Sequence, residues 1–185
     1  MPTPAWRSAL DELGAVFARL DDAAVERAVA EIDAARQIAL YGVGREGLQI
    51  QGFAMRLYHL GLAASVVGDM SCPPLGAGDL LIASAGPGSF STVDALCGVA
   101  RRDGARTLVL TAQPQGRSAA LADAVLHLPA QTMADDRAAG ASAVLPMGSL
   151  YEGALFLLCE LLVLRLQVRR GIATESMRAR HTNLE

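Results

Sequence analysis

Two glycine-rich turns, each following an apolar run, hold the residues best placed to do chemistry: Gly42-Val43-Gly44-Arg45-Glu46-Gly47 and Ala85-Gly86-Pro87-Gly88-Ser89-Phe90-Ser91-Thr92. In a parallel sheet, turns at the carboxyl ends of strands form the crevice where ligands bind. Helices that begin there point free N–H groups at an anion. Gly44, Gly86 and Gly88 let the backbone approach such a ligand, and Arg45, Glu46, Ser84, Ser89 and Ser91 are the polar side chains at hand to hold it. The first turn fits G-x-G-x-x-G, and Asp69 closes the next apolar run at about the distance expected of a ribose-binding acid. That pattern describes a nucleotide-binding redox protein. Against it, the chain offers nothing obvious for a second catalytic domain, and the second glycine turn would be surplus.

The elements that must position these turns follow from periodicity. Residues 5–35 repeat apolar positions at helical spacing (Leu10, Leu13, Val16, Phe17, Leu20, then Val25, Ala28, Val29, Ile32), with Asp21-Asp22 suited to end one helix and cap the next. Short apolar runs at 37–41, 63–67, 79–84, 106–111 and 123–128 alternate with helix-like segments, clearest at 45–60 and 91–102. Nearly continuous apolar strands between helices predict a parallel sheet covered on both faces. Right-handed crossovers then give a doubly wound α/β/α sandwich of three layers. A last helix runs from Ser149 to about Arg170 and is apolar on most sides, which predicts burial at a subunit interface and hence an oligomer. One domain is expected over 1–185, with its core at about 30–170, N-terminal helices at 5–35 and a tail at 171–185.

Composition narrows the classes. With 52% hydrophobic residues the chain can fill a core, so disorder is expected only at the ends. The net charge is −3, and all 16 basic residues are arginines, scattered without a basic stripe or aromatic platform, so nucleic acid is not an expected partner. Cys72, Cys97 and Cys159 are far apart and form no CxxC pair; they fit a reduced cytoplasm and spell no metal site. The start lacks the charged and apolar blocks of a secretory leader. The greasiest segment, 154–166, is shorter than the ~20 residues of a membrane span and is broken by Glu160 and Arg165. A soluble cytoplasmic protein is expected.

The stretch Tyr41-Gly-Val-Gly-Arg-Glu-Gly47, followed by 52–61, 78–82, Pro146-Met147-Gly148-Ser149-Leu150-Tyr151-Glu152 and the tail Arg178–Glu185, resembles the sugar isomerase (SIS) domain, more narrowly the 6-phospho-3-hexuloisomerases. The resemblance spans almost the whole chain in order. It implies a flavodoxin-like five-stranded parallel sheet, a homotetramer, and movement of a carbonyl between adjacent carbons of a phosphorylated ketose to give fructose 6-phosphate, without metal or cofactor. Such a reaction needs a base to pass a proton through an enediol and donors for the oxyanion. By motif position Glu152 is the implied base. His181, in the tail, is the implied aid to ring opening or proton transfer, in its own or a neighbouring subunit, with His59 a weaker candidate.

Each of these residues also has a local reading. Ser149-Leu150-Tyr151-Glu152 spells a helix capping box, S-x-x-E. His59 stands near a helix end before Gly61, where an imidazole suits the dipole. His127 reads as a strand residue, and His181 as a surface one.

Two turns depart from the family pattern. Ala85-Gly86-Pro87-Gly88-Ser89-Phe90 stands where the family has Ser-Gly-Ser-Gly-Glu-Thr, so three hydroxyls are gone and Pro87 has no N–H. Glu46 replaces the serine of Gly-Arg-Ser-Gly. A carboxylate ~4 Å from a phosphate is repelled by about 1 kcal/mol in water and about 4 kcal/mol at an effective dielectric of about 20. The sequence leaves open a different ligand, such as an unphosphorylated sugar or one held by Glu46 through its hydroxyls, or a chain that keeps the fold and oligomer without the isomerase activity, a non-catalytic sugar- or sugar-phosphate-binding SIS protein.

Overall fold

Five short strands form one all-parallel sheet: β1 (Ile38–Gly42), β2 (Ala64–Val66), β3 (Leu80–Ser84), β4 (Arg106–Thr111) and β5 (Ala124–His127), in the spatial order β2-β1-β3-β4-β5. The computed structural model describes residues 3–137 and 140–184. The helices are α1 (Ala5–Phe17), α2 (Asp22–Ala34), α3 (Gly44–His59), α4 (Ser91–Arg102), α5 (Arg117–Leu121), α6 (Ser149–Arg170) and α7 (Thr174–Arg178). The five apolar runs thus become the five strands, as their pattern predicts.

Alternation along the strands divides the core in two. Ile38, Leu40, Leu80, Ile82, Leu108, Leu110 and Leu126 face α2, α3 and α6. Ala39, Leu81, Ala83 and Val109 face Val93, Cys97 and Ala100 of α4. The result is the expected three-layer sandwich. Asp21 caps α2, accepting from Ala23 N–H at 2.9 Å, which satisfies one of the amides a helix start leaves open.

The order of strands places the crevice. The chain leaves β1 toward one edge of the sheet and reaches β3 on its other side, so the turns after β1 and β3 open side by side at the carboxyl ends of adjacent strands. The first of these turns is tight because of Gly42 and Gly47. A methyl group at Gly47 would fall 2.6 Å from the carbonyl oxygen of Gly42. The backbones of strand and helix touch there, and α3 starts directly over the sheet edge.

Helix α6 crosses the same face as α3 and buries Leu150, Tyr151, Ala154, Leu155, Leu158, Leu162 and Leu166. Its other side leaves Phe156, Leu157, Leu164 and Val168 exposed. No helix among the described residues is long and apolar enough to cross a membrane.

Candidate active site

A cavity of about 380 Å³ opens where α3, α6 and the β3–α4 turn meet, lined by Val43, Gly44, Arg45, Glu46, Pro87, Phe90, Thr132, Met133, Gly148, Tyr151 and Glu152. Three of its charged groups come from two helix starts: Arg45 and Glu46 from the first turn of α3, Glu152 from the first turn of α6.

Glu152 does not cap its helix. The residue before α6 is Gly148, in the left-handed conformation (φ 82°), and no side-chain cap bond forms. The capping-box expectation for Ser149 and Glu152 is therefore corrected. Ser149 has moved inside the helix, and its hydroxyl accepts from Arg45 Nη1 at 3.1 Å. The same nitrogen lies 3.0 Å from Glu152 Oε2. Arg45 Nη2 donates to the carbonyl of Met147, which adopts φ 55°, a conformation uncommon for a residue with a side chain. The Met147–Gly148 turn thus aims a carbonyl and a carboxylate at one guanidinium. Burial raises the Glu152 carboxyl above its ordinary value, while Arg45 works in the opposite direction.

Glu46 is nearly enclosed, only 7% exposed. Its Oε2 accepts from Ser84 Oγ at 2.5 Å and from Gly86 N–H at 3.0 Å. Ser84 Oγ is in turn 3.2 Å from the hydroxyl of Tyr151, which is buried in the core beside it. Desolvation raises the Glu46 carboxyl above its ordinary value; the bonds from Ser84 and Gly86 oppose this and the charge of Glu152 reinforces it. A side chain at Gly86 would collide with the Tyr151 ring at 2.8 Å and with Glu46 Oε1 at 2.9 Å, so glycine is what lets these groups meet.

The other sequence candidates fall in distinct places. Gly44 borders the cavity. Ser84 lies behind it, its hydroxyl committed to Glu46. Gly86 and Gly88 are buried in the turn after β3. Ser89 is exposed and donates to Asp94 at 3.0 Å, and Ser91 opens α4 in an exposed position. His181 stacks on His59, ring centroids 5.3 Å apart, at the carboxyl end of α3. That is about 20 Å of helix from Glu46, so the structure does not bring either histidine into the cavity of its own chain. Asp69 is exposed beyond the end of β2. His127, at the end of β5, is exposed too. Tyr151, Thr132 and Met133 escape a reading of the sequence for site residues: Tyr151 reads as core in an apolar helix, and the loop carrying 132–133 has no motif. No group of three potential metal ligands occurs among the described residues.

The SIS domain model matches residues 31–157, which hold the whole sheet, both glycine turns and the start of α6. The chain belongs to the SIS domain family. Relatives of this SIS chain named 3-hexulose-6-phosphate isomerase include those of Bacillus subtilis and Mycobacterium gastri. That of Bacillus subtilis is 32% identical over 176 residues, 95% of each chain. That of Mycobacterium gastri is 34% identical over 175 residues, 95% of this chain and 87% of the relative. Among solved structures, a Methanococcus jannaschii protein for which a 3-hexulose-6-phosphate isomerase function was inferred superposes with a TM-score of 0.83. It shares 26% identity over 95% of this chain and 98% of its own.

Proposed function

We propose that this SIS chain is a sugar-phosphate isomerase that moves the carbonyl of a 6-phosphorylated hexulose between C3 and C2, with Glu152 as the base. Homologues of that name, and the fold neighbour with that inferred function, support the reaction class. The observation that carries the catalytic assignment is Glu152 itself, which lines the cavity, is not used as a helix cap, and is fixed by Arg45. Burial raises its pKa, which makes it a stronger base toward a carbon acid, and the Arg45 guanidinium favours its charged form. It removes the proton from the carbon beside the carbonyl and returns it to the neighbouring carbon of the enediol.

The cavity volume suits one such sugar. Gly86 N–H is already taken by Glu46 and the Ser89 hydroxyl by Asp94, so the phosphate is held at the outer part of the same turn, by Ser91 and the amides that open α4. Purified protein mixed with 3-hexulose 6-phosphate is expected to produce fructose 6-phosphate, followed by a coupled dehydrogenase assay. A folded protein that gains thermal stability from the sugar phosphate but turns none over would instead establish the binding-protein alternative.

The protein works as a homo-oligomer, a tetramer by family resemblance. Support comes from the mainly apolar groove of about 490 Å³ along α6, where Phe17, Leu157, Leu161 and Leu164 line it together with Gln167 and the Arg56–Glu160 ion pair, next to the exposed Phe156 and Val168. A water-exposed apolar stripe of this kind marks a protein interface. A catalytic His181 would act on a neighbouring subunit's cavity, since its own is at the other end of α3. Sedimentation at micromolar concentration is expected to give a species larger than the 19.3 kDa monomer, and Leu164→Asp to dissociate it. A monomeric wild type contradicts this.

A further inference from the structure

Base chemistry at Glu152 leaves one carboxyl group of the cavity unused. That group is Glu46, in the position where the family pattern has serine. Its two oxygens are treated differently. Oε2 receives both available donors, Ser84 Oγ at 2.5 Å and Gly86 N–H at 3.0 Å. Oε1 accepts from no described residue, while the side chain borders the cavity. The single proton of Ser84 points at Glu46, so the Tyr151 hydroxyl donates to Ser84, and Tyr151, Ser84 and Glu46 form a one-way chain of donors ending on Oε2. A carboxyl group with two donors on one oxygen carries its own proton on the other. When Glu46 is protonated, its proton therefore sits on Oε1, the oxygen that receives neither donor.

We propose that Glu46 is the general acid of the isomerisation, opposite Glu152 as the base. This rests on the isomerase reading of the site. Glu152 takes the proton from C2; the C–H pair forms the C2–C3 double bond, and the carbonyl π pair moves to the C3 oxygen, which takes the Oε1 proton of Glu46. In the second half the C2 hydroxyl returns a proton to Glu46, the C2 carbonyl forms, and C3 takes the proton held by Glu152. Both carboxyl groups finish as they began.

The surroundings suit this division. The groups facing Glu46 are Ser84 from β3, and Tyr151 and Glu152 from α6. Arg45, which lines the same cavity, is engaged with Glu152, Ser149 and the Met147 carbonyl. Glu46 is thus buried without a cation and favoured neutral, whereas Glu152 has a guanidinium that favours its charge. Neighbouring carboxyls whose environments separate them in this way divide into acid and base.

Glu46→Gln tests the assignment, because the amide oxygen can accept from Ser84 and Gly86 while the amide nitrogen presents a donor with no transferable proton. The wild-type kcat is expected to rise with pH as Glu152 ionises and to fall at higher pH as Glu46 does. In Glu46→Gln, kcat is expected to fall about 100-fold or more, with KM within about threefold, Tm unchanged and the high-pH fall abolished. Infrared difference spectra give a readout without turnover. The wild type should keep the carbonyl stretch of a protonated carboxyl above the pH at which exposed carboxyls have ionised, and Glu46→Gln should lack it. A glutamine variant with wild-type kcat, or one retaining the high-pH fall, overturns the acid role alone. A wild type inert toward hexulose phosphates overturns the isomerase reading and the acid role with it.

Discussion

Glu152→Gln is expected to lower kcat by about three orders of magnitude while leaving the melting temperature nearly unchanged. The size of the loss follows from removing the base that takes a proton from carbon, a contribution of about 10²–10⁴-fold. The unchanged stability follows from the start of α6. A carboxylate acting as part of a capping box would stabilise the helix, and its loss would cost about 1 kcal/mol. Here Gly148 precedes the helix in the left-handed conformation and no side chain caps it, so glutamine forfeits no such bond. Glutamine also keeps an oxygen for Arg45. A variant that loses stability and keeps its rate would assign Glu152 to the helix rather than to the reaction. In the active wild type, the rate should rise with pH over a range above that of an ordinary carboxyl, because burial raises the Glu152 pKa and the ionised form is the base.

Gly47→Ala is expected to cost about 3 kcal/mol of folding stability, near the upper end for an overpacked site. The added methyl would lie 2.6 Å from the Gly42 carbonyl oxygen and 3.2 Å from its carbonyl carbon, both backbone atoms of the adjoining strand that cannot rotate aside. Relief requires α3 to lift from β1, which would also displace Arg45 and Glu46 from the cavity wall. Gly52→Ala is the control on the same helix. Nothing stands within 4 Å of a methyl there, and replacing an exposed helical glycine with alanine should stabilise by up to about 1 kcal/mol. Urea unfolding distinguishes the two by their midpoints. A Gly47→Ala midpoint equal to the wild type's would refute the close approach at this turn.

Much of the fold could be read from residue patterns because each strand is a short apolar run, and the three central ones, β1, β3 and β4, are largely buried on both faces. The run at 37–41 becomes Ile38–Gly42, and that at 106–111 becomes Arg106–Thr111. The helix from Ser149 to Arg170 was equally legible from its continuous apolar content. The site was legible only in part. Arg45, Glu46 and Glu152 were recognisable as candidates, but their partners were not. Ser84 is 38 residues from Glu46 and Tyr151 is 67 from Ser84, and only the parallel sheet brings them together. Glu46 looked like a charge placed against a phosphate. Its carboxyl instead turns inward onto Ser84 Oγ and Gly86 N–H, a contact that depends on the β1 and β3 turns lying side by side. The Ser149 capping box failed because the left-handed Met147–Gly148 turn starts the helix one residue earlier than the motif requires. The distance of His181 from the cavity depends on where the tail folds after α7, which no local pattern specifies.

The central claim is that this cavity moves a carbon-bound proton of a hexulose phosphate through Glu152. Incubation of the protein with fructose 6-phosphate in heavy water, followed by proton NMR, tests it directly. The predicted result is loss of the C3 proton signal as deuterium enters from solvent, at a rate that collapses in Glu152→Gln. Retention of that proton by a folded wild-type protein, or exchange as fast in Glu152→Gln as in the wild type, would contradict the account.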